Sequence, residues 1–276
     1  MSDFETNLPL GKPTSYRDEY DAALLCPFPR QPKRAELGLP GELPFAGFDL
    51  WNAYELSWLD QRGKPVVAVA EFRFPCTSTF LIESKSFKLY LNSLNQTRFT
   101  DLAAVAATLE RDLTRASGAP VGVRLLAPAA LAGAPLADFP GRCLDDLDIA
   151  IDCYDYAPEL LDGAAVPGSM VEETLHSHLL KSNCLVTRQP DWASVLIRYH
   201  GPRIDPAALL RYLVSFRRHS EFHEQCVERI FADLLRCCRP HRLTVYARYT
   251  RRGGLDINPF RSNFESDLPN WRLPRQ

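Results

Sequence analysis

Phe80-Leu81-Ile82-Glu83-Ser84-Lys85-Ser86-Phe87-Lys88-Leu89-Tyr90 carries an apolar strand straight into a polar, basic cluster. Further along, Ser177-His178-Leu179-Leu180-Lys181-Ser182-Asn183-Cys184 makes the same transition. Around the first stretch, periodicity predicts strands over Val66–Phe74 and Ser78–Glu83 and a short amphipathic piece reaching Leu94. A helix then opens at Thr100-Asp101, places Leu102, Val105, Leu109 and Leu113 on one face and stops at Gly118. Strands Val121–Leu126 and Leu147–Tyr156 follow, the latter alternating through Ile149, Ile151 and Cys153. Around the second stretch the order repeats. Strands Val171–Leu180 and Ser194–Tyr199 precede a helix opened by Asp205-Pro206, with Leu209, Leu210, Leu213 and Phe216 on one stripe. Beyond a polar junction at Arg217 to Ser220, Val227, Ile230, Phe231 and Leu234 form another stripe, and strand Leu243–Tyr249 closes the block. Two successive strand-strand-helix-helix-strand-strand units imply an α+β protein with an internal duplication, the two quoted stretches lying at equivalent ends of equivalent strands. Residues 1–45, rich in proline, read as an extended arm, 46–160 as the first unit and 161–276 as the second.

Composition narrows the class. A chain of 276 residues buries a substantial core without disulfides, and 46% hydrophobic with 24% charged residues is ordinary for a globular protein. A net charge of -2 argues against a dedicated nucleic-acid binder, which carries a concentrated basic excess. The first residues offer neither a basic nor an apolar signal region, and the uncharged stretch Leu125 to Ala137 contains Pro128 and Pro135 and is too short to span a bilayer. A cytoplasmic protein without membrane partner is expected. Its eight cysteines show no CxxC pair and no regular spacing, so free thiols are expected, most of them small buried core residues.

Cys184 departs from that pattern, because its neighbours are Lys181, Ser182 and Asn183. Seven residues on stands Asp191, with Pro190 before it and Trp192 after. A nucleophilic thiol needs nearby positive charge or donors, here Lys181, Arg188, Ser182 and Asn183, and a carboxyl acting as acid needs a raised pKa, which burial against Trp192 would supply. A structural thiol and a turn aspartate remain open alternatives. The run Glu83 to Lys88 reads either as a solvated helix start capped by Ser84 or as a phosphate site made of helix amides and lysines. Arg251-Arg252-Gly253-Gly254 is a second basic turn whose glycines permit close backbone approach. His219 and His223 are spaced i, i+4, but the order His-Ser-Glu-Phe-His is not the zinc motif HExxH. His176 and His178 share a strand face without an evident third ligand, so no metal site is expected. His223 and Glu224 can instead present a donor and a carboxylate to a heterocycle, or simply lie on a solvated helix face.

Taken together, Glu83-Ser84-Lys85-Ser86-Phe87-Lys88-Leu89-Tyr90, Ser182-Asn183-Cys184 with Asp191, Phe222-His223-Glu224 and Arg252-Gly253-Gly254 resemble the NADPH-dependent 7-cyano-7-deazaguanine reductases, the nitrile reductases of queuosine biosynthesis, in their long single-chain form. The resemblance runs over essentially the whole chain. It implies tandem tunnelling-fold units, antiparallel sheets backed by helices, with homodimers completing the barrel. It also implies four-electron reduction of the nitrile to a primary amine, with Cys184 as the nucleophile that forms a thioimide and Asp191 as the proton donor. Glu83, His223 and Glu224 would hold the deazaguanine, and Ser84, Lys85, Arg252 and Gly253 would meet NADPH. Two competing readings are a metal-dependent cyclohydrolase of the same fold, using the histidines and Cys184 as ligands, and an RNA-binding module built on Arg217-Arg218-His219 and Arg248 to Arg252. The first predicts bound zinc, the second salt-dependent RNA binding.

Overall fold

Alternating small and aromatic residues build the sheet that anchors the first functional stretch. The computed structural model describes residues 16–39 and 41–276, which divide into two compact units. The first comprises 16–35, 48–134 and 251–256; the second comprises 36–47, 135–250 and 257–276.

In the first unit, strand β1 (Pro27–Pro29) and helix α1 (Gln31–Glu36) lead to the long antiparallel pair β2 (Ala46–Leu59) and β3 (Pro65–Pro75). A register shift between Ala53 and Leu56 marks a bulge in β2. After β4 (Phe80–Ile82), which pairs antiparallel with β1, come helices α2 (Ser84–Asn92) and α3 (Leu102–Ser117) and strand β5 (Gly122–Leu126), antiparallel to β3. Ala68, Ala70, Phe72 and Phe74 alternate inward along β3. The Phe87 ring of α2 lies 5.2 Å from Trp51, 5.0 Å from Phe72 and 6.0 Å from Phe74, so the apolar face of α2 is locked onto the sheet. Tyr90 and Tyr20 both donate to Asp112, at 2.8 and 2.7 Å, which ties α2 to α3. Asp101 caps α3 through the Ala104 amide, and Gly118 ends it at φ +76°, as the sequence predicts. Leu102, expected on the apolar face, is 44% exposed; the covered stripe begins at Val105.

In the second unit, β6 (Arg142–Cys143) runs parallel to β7 (Ala165–Ser177). The short β8 (Lys181–Asn183) folds back on β9 (Pro190–Ile204), which also pairs with β7. Helices α4 (Pro206–Ser215) and α5 (His223–Cys238) and the antiparallel strands β10 (Arg242–Tyr249) and β11 (Leu255–Ser262) complete it, in the order β11-β10-β9-β7-β6. Asp205 accepts from the amides of Ala207 and Ala208, and Leu209, Leu213, Val227, Ile230, Phe231 and Leu234 are fully buried.

The α+β class and the antiparallel sheets backed by helices agree with expectation. Three details do not. Leu147–Tyr156 forms no strand: half-burial alternates along it, but Asp148, Asp152 and Asp155 disfavour a ladder and the segment stays irregular. The strand expected through Leu180 stops at Ser177. The two quoted stretches are not equivalent either, because β4 leads into helix α2 whereas β8 turns back into β9. All eight cysteines are free thiols. Among the described residues no helix is long and apolar enough to cross a membrane.

Candidate active site

The segment Lys181 to Trp192 is a β-hairpin, and its register decides what its side chains can do. Ser182 stands opposite Asp191 and Asn183 opposite Pro190; one step further the Cys184 amide donates to the Gln189 carbonyl at 2.8 Å. Side chains alternate along paired strands, so Cys184, Ser182 and Asp191 share one face, thiol and carboxyl on a cross-strand diagonal. Both are buried, at 2% and 6% exposure. The tip closes with the Arg188 amide donating to the Cys184 carbonyl at 3.0 Å, Arg188 itself being left-handed at φ +57°.

The junction after α4 pins this hairpin in place. The Asn183 amide and side-chain nitrogen donate to the His219 carbonyl at 2.8 and 3.1 Å, and the Glu221 amide donates to the Asn183 carbonyl at 3.0 Å. Lys181 donates to Asn183 Oδ1 and to the Arg217 carbonyl, both at 2.6 Å. Burial and the charge of Arg217 pull its ammonium down, while Asp191 pushes it back up. Arg188, a candidate cation for the thiol, is exposed. Trp192 does not bury Asp191: it points to the opposite face, is 36% exposed and lies under the Arg217 guanidinium, 5.4 Å away.

His223, followed by Glu224, lies against Asp191 instead. They open α5, where a carboxylate is favoured by the helix dipole. His223 Nε2 lies 3.5 Å from Asp191 Oδ2, and its ring meets Tyr249 edge-on at 4.0 Å. Glu224 is 2% exposed, so neither residue lies on a solvated helix face. The hydroxyls of Ser182 and Tyr249 are buried beside the Cys226 thiol with no well-formed hydrogen bond, and both ends of the Gln225 amide are buried without a partner. Burial raises the Tyr249 phenol well above its ordinary value, and Cys226 and then Asp191 add to the effect. Unpaired buried donors and acceptors are costly, and beside Asp191 and His223 they favour a polar ligand. Ser182 was expected as a donor for the thiol; Gln225 and Tyr249 were not singled out in the sequence. Only their burial reveals them.

His219 belongs elsewhere. It precedes the helix in extended conformation, so it forms no helical pair with His223, and its Nε2 contacts Glu221 at 3.0 Å. Arg229 forks onto the same carboxylate at 2.9 and 2.7 Å. Burial pushes Glu221 up, but Arg229 and His219 together hold it below the usual carboxylate range. A depressed carboxyl stabilises the fold above its unfolded pKa and loses that contribution as pH falls through the folded value. Glu221→Gln is therefore expected to flatten the acid limb of stability below about pH 4.5, measured as urea midpoints across pH. An unchanged acid limb would disprove it.

The first unit gathers the other candidates. Glu83 is fully buried and is itself the cap of α2, a role the sequence gave to Ser84: it accepts from the amides of Lys85 and Ser86 at 2.7 and 2.8 Å. Burial raises its carboxyl, and those two amides pull it back. The helix amides expected to cradle a phosphate are thus occupied by Glu83. One turn on, Lys88 donates to Glu55 at 2.7 Å and to the Gly253 carbonyl at 2.6 Å. Arg252 and Leu255 close a tight turn in which Gly253 and Gly254 hold φ +61° and +79°. Lys88 therefore joins Ser84 and Lys85, on its own helix, to Arg252 and Gly253. The positive charges beside these occupied amides are those of the half-buried Lys85 and Arg252.

Models of known families match two stretches: residues 16–125 fit the N-terminal region of nitrile reductase, 7-cyano-7-deazaguanine-reductase, and residues 190–267 fit the QueF-like proteins. A protein of Bordetella parapertussis named NADPH-dependent 7-cyano-7-deazaguanine reductase is 60% identical over 272 residues, covering 98% of this chain and 99% of its own. Its namesake in Dechloromonas aromatica is 61% identical over 97% of this chain and 95% of its own. The chain belongs to the 7-cyano-7-deazaguanine reductase family. A solved structure of an archaeosine synthase QueF-Like covers 38% of the chain at 14% identity, with a TM-score of 0.29, too low to bear on the fold. In this reductase family member the two matched stretches hold every residue given a catalytic, substrate or cofactor role by the resemblance except Cys184, which stands six residues before the second.

Proposed function

We propose that the protein reduces 7-cyano-7-deazaguanine to 7-aminomethyl-7-deazaguanine with NADPH, in queuosine biosynthesis. The hairpin carries this reading: it places a buried thiol and a buried carboxyl on one face, beside His223 and a set of unpaired polar groups. Cys184 adds to the nitrile carbon, forming a C–S bond, and Asp191 delivers a proton to the nitrogen to give a thioimide. NADPH, when bound, supplies hydride, twice per amine formed. After the first, the C–S bond breaks, the electron pair returns to sulfur, and an imine remains for the second, which with a second proton gives the amine. Burial of Cys184 and Asp191 keeps water from that imine. The His223 and Glu224 side chains hold the heterocycle, with Glu83 the first unit's candidate for the same role; Ser84, Lys85, Arg252 and Gly253 hold the cofactor. The tandem halves are tunnelling-fold units, and a homodimer completes the assembly in the cytoplasm.

The experiment is NADPH consumption with 7-cyano-7-deazaguanine, run beside a mass spectrum of protein and nitrile without cofactor. A covalent adduct and two NADPH oxidised per amine support the reading; neither adduct nor oxidation ends it. Asp191→Asn is expected to lower kcat about 10²-fold, the lower range for a positioned proton donor, with the adduct forming more slowly; an unchanged rate would remove Asp191 from the chemistry. Each rival reading loses one of its named residues. Among the described residues Cys184 joins no cluster at metal-ligand spacing. Arg248 of the RNA reading is 2% exposed, held by Gln276, Tyr246 and Asn270.

A further inference from the structure

Away from the hairpin, three side chains that take no part in the proposed reaction converge. Donor atoms of Cys143, His176 and His178 lie within 4.8 Å of one another. The backbone sets this up: β6 runs parallel to β7 with Cys143 opposite His176, and His178 follows two residues later. Gly141 lets β6 come so close, because a Cβ there would meet the Thr174 carbonyl oxygen at 2.1 Å. Asp145 fastens the other side, accepting from Ser177 Oγ at 2.6 Å and from the His178 amide at 3.0 Å.

The hydrogen bonds fix which nitrogens face inward. His176 Nδ1 lies 3.2 Å from the Pro140 carbonyl, which can only accept, so Nδ1 carries the proton and Nε2 offers its lone pair. His178 Nδ1 is engaged by Ser194 Oγ at 2.8 Å, leaving its Nε2 3.4 Å from Asp138 Oδ1. A second ring nitrogen bonded to a carbonyl or hydroxyl is the outer shell that orients metal-bound histidines. Two donors each about 2.0–2.1 Å from a tetrahedral ion stand about 3.3 Å apart, close to the separation of His178 Nε2 and Asp138 Oδ1.

We propose that Cys143, His176 and His178 bind a borderline divalent metal, with Zn²⁺ the fitting ion and Asp138 or water in the fourth position. One thiolate and two imidazoles select zinc over magnesium or calcium, which take oxygen ligands. The site clamps the segment before β6 to β7. It differs from the cyclohydrolase arrangement, since Cys184 has no part in it.

The test strips the full-length protein with chelator and titrates it with Zn²⁺ and with Co²⁺, following elemental content and the thiolate-to-cobalt absorption band. One metal per chain is expected, with the band present in wild type and in Cys184→Ala and absent in Cys143→Ser. His178→Gln, at a half-exposed position that spares the fold, should weaken Zn²⁺ binding at least about 10-fold. No uptake by wild type, a band surviving in Cys143→Ser, or full affinity in His178→Gln would each overturn the proposal. None of these readouts depends on reductase activity.

Discussion

Cys184→Ala is expected to remove nitrile reduction by roughly 10⁴-fold or more, because loss of a covalent nucleophile leaves only binding and positioning. It should abolish the mass shift seen when wild type meets the nitrile without cofactor. The fold should survive. The hairpin contacts of residue 184 are made by its backbone, to Gln189 and Arg188, and alanine preserves them. Replacing the buried thiol with a methyl group costs about 1 kcal/mol of packing, so the urea midpoint should move little. Cys184→Ser sharpens the test, since a hydroxyl keeps the shape but is not ionised at neutral pH. Activity retained by either variant would exclude Cys184 as the nucleophile, whatever the fate of the family reading.

Arg261→Ala carries the largest expected effect on stability. Arg261 is fully buried in β11, and its Nε and one terminal nitrogen donate to the same Glu228 oxygen at 3.0 and 2.8 Å. A further nitrogen donates to the Phe260 carbonyl at 2.9 Å, and the guanidinium lies 5.6 Å from the Phe45 ring. Removing it takes the guanidinium away from a buried carboxylate, which costs about 3–5 kcal/mol, against a total of about 5–15 for a typical domain. The double variant Arg261→Met with Glu228→Leu removes both charges and should recover much of that loss. Urea denaturation measures both. A single-variant loss below about 1 kcal/mol would mean that water reaches the pair and screens it.

What could be read from the sequence follows the range of the interactions involved. Asp101, Gly118 and Asp205 act within a turn, so their helix ends were legible. Cys184 and Asp191 were legible as a pair because a hairpin brings near neighbours together. Burial was not. β2 between Leu50 and Ala53 and β11 throughout are covered on both faces, which erases alternation, and β11 also holds Pro259, so neither strand announced itself. Leu147–Tyr156 erred the other way, alternating convincingly with no neighbour to pair with. Cys143 escaped as a partner of His176 and His178 because parallel pairing joins residues far apart in the chain. Glu83 looked like part of a phosphate cradle until its oxygens were seen to occupy the amides themselves.

The turn at Arg252 and Gly253 belongs to the first unit although it lies near the end of the chain. Asp256 in that returning segment is 1% exposed and accepts from Asn52 and Tyr54, both at 2.7 Å, so the early strand β2 depends on it. During synthesis, β2 therefore leaves the ribosome with a seat that stays empty until Asp256, 204 residues after Asn52, has followed it. The first unit is thus complete only after most of the second has been made, and neither can be excised as a continuous fragment that keeps all its own parts.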